Sequence, residues 1–125
     1  MKKLKKLWKK IKDKGKRKNL SPPFKLSKPL NIGVIGAGIQ ASRLIGQVLD
    51  AGAEVVAVHD VKIEAAQKLA KLSNSKLSTT NLDEFFEVPM DGLLLCTMST
   101  VRAEPIKRAC DKKIHLLIEK PAAYN

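Results

Sequence analysis

Four groups of residues in this chain have types and spacings that can do chemistry: Gly36-Ala37-Gly38, Asp60, Thr97–Thr100 and Glu119-Lys120-Pro121. Gly36 permits a sharp turn. Gly38 carries no side chain, so a bulky anion can approach the backbone there and meet the positive end of a following helix. Ile39, Gln40 and Ala41 lead the turn into that helix. Ala41 stands where a third glycine often stands, because the position mainly needs close helix–strand packing. Asp60 lies 24 residues after Gly36, near the distance at which an acid reaches the ribose hydroxyls of a dinucleotide. By themselves the glycines fit a strand-to-helix turn without a ligand. The acid at that spacing is what points to a pyrophosphate-bearing dinucleotide.

These residues need elements to position them. Residues 31–60 read as an apolar strand, the glycine turn, a helical pattern through Ile39, Leu44, Ile45, Val48 and Leu49, and a second strand ending at His59-Asp60. Gly52 follows the last periodic position, as expected of a helix-terminating glycine. Residues 61–72 predict a helix through Ile63, Ala66, Leu69, Ala70 and Leu72, broken by Ser73-Asn74-Ser75. Residues 77–80 predict a short third strand. Asn81-Leu82-Asp83-Glu84 predicts a capped short helix with Phe85 or Phe86 turned inward. The apolar run within 90–97 predicts a central parallel strand. Residues 101–112 predict a helix with Val101, Pro105, Ile106 and Ala109 inward, Pro105 being acceptable only near its first turn. Residues 114–118 predict a fifth strand.

Alternating strands and helices predict an α/β fold of the Rossmann type: a doubly wound parallel sheet in the order 3-2-1-4-5, truncated after the fifth strand and preceded by a basic tail. In such a sheet the ligand crevice lies at the carboxyl ends of the strands. All four residue groups would line that edge.

The charge is unevenly placed. Of the 24 Lys/Arg, 13 lie in residues 1–30 with one of the 12 acids, so the net charge of +12 belongs to this segment and residues 31–125 are neutral. Within residues 1–18, Leu4, Leu7, Trp8 and Ile11 share one helical face among lysines. That pattern fits weak contact with an anionic membrane surface, a nucleic-acid or calmodulin-like target helix, or a solvated tail. Residues 19–29 hold three prolines and two serines and predict an extended linker. The domains are therefore 1–30, tail and linker, and 31–125, globular. Cys96 and Cys110 have no metal-binding or disulfide-framework spacing and read as small buried hydrophobes in a reducing, cytoplasmic setting. There is no secretory signal and no apolar run long enough to span a bilayer.

With the glycine turn, VVAVHD, LDEFFE, LLLCT and HLLIEKP in view, residues 31–121 resemble the N-terminal domain of the glucose–fructose oxidoreductase, inositol dehydrogenase and MocA-like family. The resemblance implies NAD as cofactor, with NADP as the alternative, and hydride transfer on sugars, cyclitols and related hydroxy compounds. It implies that Gly36, Gly38, Ile39, Gln40 and Ala41 form the pyrophosphate turn, that Asp60 holds the adenosine ribose, and that Thr97 and Met98 lie beside the cofactor. Glu119 and Lys120 would face nicotinamide and substrate, Lys120 as the catalytic residue and Pro121 fixing its turn. Family members commonly have Thr-Pro where this chain has Thr97-Met98, and a histidine where it has Arg102. Arg102 itself reads as a solvated arginine at a helix start, His59 as structural or adenine-side, and His115 as a packed or edge histidine.

The first expectation is thus an oxidoreductase fragment, inactive alone, that acts on a small-molecule substrate only when completed by a second domain. The alternative is a non-catalytic dinucleotide-binding or scaffolding module whose tail contacts membrane or nucleic acid. Strand five, left at an edge, is expected to promote self-association.

Overall fold

The computed structural model describes Lys6 and residues 27–98 and 101–118. Among these residues, strands β1 (Asn31–Ile35), β2 (Glu54–His59), β3 (Leu77–Thr79), β4 (Gly92–Leu95) and β5 (His115–Ile118) alternate with helices. The helices are α1 (Ile39–Asp50), α2 (Ile63–Ser73), α3 (Leu82–Glu87) and α4 (Ala103–Asp111). Every pairing is parallel and the order is β3-β2-β1-β4-β5, as the alternating pattern predicts. The chain reverses its direction of travel across the sheet between β1 and β4, which opens a crevice at the carboxyl ends of these two strands.

Alternation within the strands divides the core in two. Val34, Val58 and Leu94 pack against Ala41 and Ile45 of α1 and Ala66 and Leu69 of α2. Ile35, Ala57, Leu93 and Leu95 point the other way, against Phe85 and Phe86 of α3 and Ala109 of α4. Both phenylalanines are buried where only one was expected inward. Gly33 leaves room for the first of them: a Cβ there would lie 2.7 Å from Phe85 Cζ and from Met90 Sδ.

Local signals set the element ends. The Asn81 side chain accepts from the N–H groups of Asp83 (2.8 Å) and Glu84 (3.3 Å), capping α3. After α1, Gly52 has φ +93°; its N–H reaches Leu49 O at 3.0 Å and the Ala53 N–H reaches Val48 O at 3.2 Å. This is the paired left-handed closure for which glycine is favoured. The same closure ends α4 on a lysine: Lys113 has φ 56°, with Lys113 N–H to Cys110 O at 3.1 Å and Ile114 N–H to Ala109 O at 2.8 Å.

Several expectations are corrected. Val61 lies outside α2 and Val101 outside α4; both are exposed, because they sit in the loops leading from the strand ends. Pro105, by contrast, is where it was expected, buried in the first turn of α4, where its missing N–H breaks no helical bond. Cys96 is half-buried and Cys110 exposed. Cys110 follows the inward-facing Ala109, and one helical step turns it toward solvent. In β5, Leu116 and Ile118 join the cluster under α3 and α4, while His115 and Leu117 face the opposite side and are exposed. Among the described residues no helix covers that side of β5.

Candidate functional site

β1 delivers the chain to Gly36, whose N–H donates to His59 O at 2.8 Å and so extends the contact with β2. Gly36 has φ +94°, and a Cβ there would meet Cys96 backbone carbon at 2.8 Å. The close approach of the chain leaving β1 to the chain leaving β4 therefore demands glycine at this position.

Gly38 is different. Its φ of −83° suits any residue, and a Cβ would meet nothing within 4 Å. It is the N-cap of α1, yet no side chain caps the helix and no acid occupies the first turn. Serine, aspartate or asparagine would stabilise that helix end better. Neither conformation nor packing accounts for glycine here; its effect is to leave the start of α1 open to an anion. Ile39 and Gln40 are exposed beside it, whereas Ala41 is fully buried beneath the turn, as the packing argument predicts.

Asp60 forms the neighbouring wall. Its Oδ2 accepts from the Ala37 N–H at 2.8 Å and its Oδ1 from the Lys62 N–H at 2.9 Å. The acid thus fastens the glycine turn to the end of β2, and each carboxylate oxygen retains further acceptor capacity for a ribose hydroxyl. Ala37 gives its N–H to Asp60 and packs its methyl group against the cluster that holds Val34, Ala41 and Ile45.

His59, one residue earlier, is buried. Its Nε2 donates to Thr80 O at 3.1 Å, and its ring meets Phe85 edge-on at 6.1 Å between centroids. Nδ1 is buried without a hydrogen-bond partner. Burial holds the imidazole below its ordinary pKa, against smaller opposing pulls from the Thr80 carbonyl and Asp60. The neutral ring has a structural role, in keeping with its sequence reading.

On the β4 side, Thr97 is half-buried, and its hydroxyl oxygen is buried without a hydrogen-bond partner; Met98 is exposed. Arg102 corrects its sequence reading: it is 3% exposed rather than solvated. Its guanidinium folds back so that Nε donates to Thr97 O at 2.9 Å, and Nη2 donates to the same oxygen. Sequence gave no sign of this, since the contact needs the turn after β4 to close. Gly36, Gly38, Asp60, Thr97 and Met98 thus sit in the loops at the carboxyl ends of β1, β2 and β4, and Ile39, Gln40 and Ala41 in the first turn of α1 beside them. Glu119, Lys120 and Pro121 lie outside the described residues, as does Thr100 and, apart from Lys6, the basic tail. Among the described residues no group of His, Cys, Asp or Glu could hold a metal ion, and no helix is long and apolar enough to cross a membrane.

A doubly wound parallel sheet with an open glycine turn at its switch point and an acid closing the second strand defines a dinucleotide-binding domain of the Rossmann class. Residues 30–125 match the model of the GFO_IDH_MocA family, described as an oxidoreductase family with an NAD-binding Rossmann fold. The chain belongs to that family, and its open turn and adjoining acid fit the family's cofactor, NAD.

Solved structures agree. A myo-inositol dehydrogenase from Lactobacillus casei, in complex with NAD(H) and myo-inositol, is 27% identical with a TM-score of 0.69, over 76% of this chain and 29% of that one. KijD10, a 3-ketoreductase from Actinomadura kijaniata in complex with NADP, is 25% identical with a TM-score of 0.67, over 77% of this chain and 31% of that one. The WlbA dehydrogenase from Bordetella pertussis, at 23% identity and a TM-score of 0.70 over 77% and 30%, shares the fold. The chain spans less than a third of the length of each. No curated protein matches it significantly.

Proposed function

We propose that this chain holds NAD across the β1–β4 crevice as the cofactor domain of an oxidoreductase acting on sugar, cyclitol or related hydroxy substrates. The observation that carries the reading is Gly38, a glycine that the fold does not need and an approaching pyrophosphate does. The first N–H groups of α1 receive the phosphates, Asp60 takes the adenosine ribose, and Thr97 and Met98 line the nicotinamide side. Bound NAD supplies the hydride acceptor. Glu119 and Lys120 face the nicotinamide and substrate, and Lys120 assists by hydrogen bonding and positive charge near the reacting hydroxyl, its turn set by Pro121. The inositol dehydrogenase solved with NAD(H) and myo-inositol supports this substrate class.

NAD is preferred over NADP, because the Asp60 carboxylate repels a 2′-phosphate. Lys62 next to it softens that repulsion, and the NADP-bound relative keeps NADP as the second cofactor. Calorimetric titration of both dinucleotides tests the reading: NAD binds more tightly, and tighter NADP binding overturns it. Reduction of NAD with a panel of cyclitols and sugars, by the chain joined to the second domain of a related enzyme and by the Lys120→Met variant of that joined protein, tests the catalytic assignment.

A non-catalytic dinucleotide-binding module is the second reading, favoured by Met98 and Arg102 on the nicotinamide side. NAD binding without reduction across that panel, even in the joined protein, supports it. The domain starts near Leu30. The tail offers a weak, salt-sensitive contact for anionic vesicles, reported by a blue shift of Trp8 fluorescence. The exposed Leu117 face of β5 supports self-association, which sedimentation at increasing concentration tests.

A further inference from the structure

We propose that Arg102 is a positioning residue for the nicotinamide half of the bound dinucleotide, acting through the Thr97 peptide. The inference rests on the dinucleotide reading and extends it to a residue that does not touch the ligand. Burying a guanidinium is costly unless its donors are used. Here two of them converge on one carbonyl, that of Thr97, close after β4 ends. Thr97 lies at the floor of the crevice: its backbone nitrogen, in the peptide preceding the one whose carbonyl Arg102 holds, is 2.9 Å from the point a Cβ on Gly36 would occupy. The Thr97 hydroxyl oxygen is buried and unpartnered. A hook on the adjoining carbonyl therefore fixes where this polar group stands. Arg102 is also the residue immediately before α4, with Ile106 N–H bonded to its carbonyl at 3.0 Å. One side chain thus ties the turn after β4 to the helix that follows.

The adenosine half is held elsewhere, by the turn at Gly38 and by Asp60 at the end of β2. The bonds that hold Asp60 run to Ala37 and Lys62 and not to the Thr97 carbonyl. The proposal therefore predicts a selective defect. A role confined to stability would weaken every ligand together, whereas a positioning role weakens only a ligand that reaches the β4 side.

The test compares NAD with ADP, which carries the adenosine and pyrophosphate but no nicotinamide half, by calorimetry on the full chain. Arg102→Met keeps an apolar stem and removes the donors. It is expected to lose NAD affinity about tenfold while ADP affinity stays within about twofold. Arg102→Lys, which keeps the charge and one donor, is expected to show the same selectivity with a smaller loss, and it decides the matter if Arg102→Met does not fold. An equal loss for NAD and ADP, or no loss for either, overturns the proposal. If the unaltered chain binds neither ligand, the dinucleotide reading fails first and this inference with it.

Discussion

At the β1–β2 end of the crevice, backbone shapes the site. Gly36 takes a left-handed conformation, Gly38 leaves space, and Asp60 fastens the turn by accepting the Ala37 N–H. At the β4–β5 end, a long side chain does that work: Arg102 reaches back to the Thr97 carbonyl, and Leu117 on the outermost described strand remains 57% exposed. The first half is built from contacts that short sequence motifs encode. The second depends on where a flexible side chain settles once the sheet exists. The two halves of the crevice are thus held by different means, one by backbone conformation and the other by a buried side chain.

The largest effect should come from breaking the backbone half. Gly36→Ala forces a Cβ against Cys96 in a conformation that L residues rarely adopt. It is expected to destabilise the domain by about 2–4 kcal/mol, measured by urea denaturation, and to abolish NAD binding. Gly38→Ala separates binding from folding in the same half. Its φ is unstrained and its surroundings are open, so stability should stay within about 0.5 kcal/mol while NAD affinity falls at least about tenfold. Normal NAD binding by the Gly38→Ala variant would show that the space at this position is not used by the cofactor.

His59 gives the β2 end a pH dependence. The folded state holds it neutral, below its ordinary pKa of 6.5. The unfolded chain therefore takes up the proton first as pH falls. The contribution is fully present above the ordinary imidazole value and is lost as pH drops through that value toward the depressed folded one. Denaturant midpoints at about pH 8 and about pH 5 should differ more in the unaltered chain than in His59→Gln.

The smallest effect lies between α4 and β5. Lys113 adopts the left-handed conformation that glycine fills after α1. Lys113→Gly should stabilise the domain by roughly 0.5–1 kcal/mol, seen as a raised Tm, with NAD affinity unchanged.

Much of the architecture is legible in the residues. Strand and helix order, the Asn81 cap, the Gly52 stop, the inward Pro105 and the glycine turn with Asp60 all follow from local preferences or short-range periodicity, and the parallel order follows from right-handed crossovers. What the chain alone could not reveal was decided across the sheet. Phe85 turns inward into the space left by Gly33 in β1, and Phe86 is buried with it, the ring centroids 5.1 Å apart. Arg102 reads as solvated until the turn after β4 folds its guanidinium beneath Thr97, and Cys110 reads as buried until α4 settles with Ala109 inward. Gly36 and Gly38 look alike in sequence. Only the approach of β4 separates them, making the first a requirement of packing and leaving the second facing open space. Local preference acts within a few residues, so sequence by itself determined the elements; burial and hydrogen-bond partnership join residues far apart in the chain, so the tertiary structure decided which side chains the site can use.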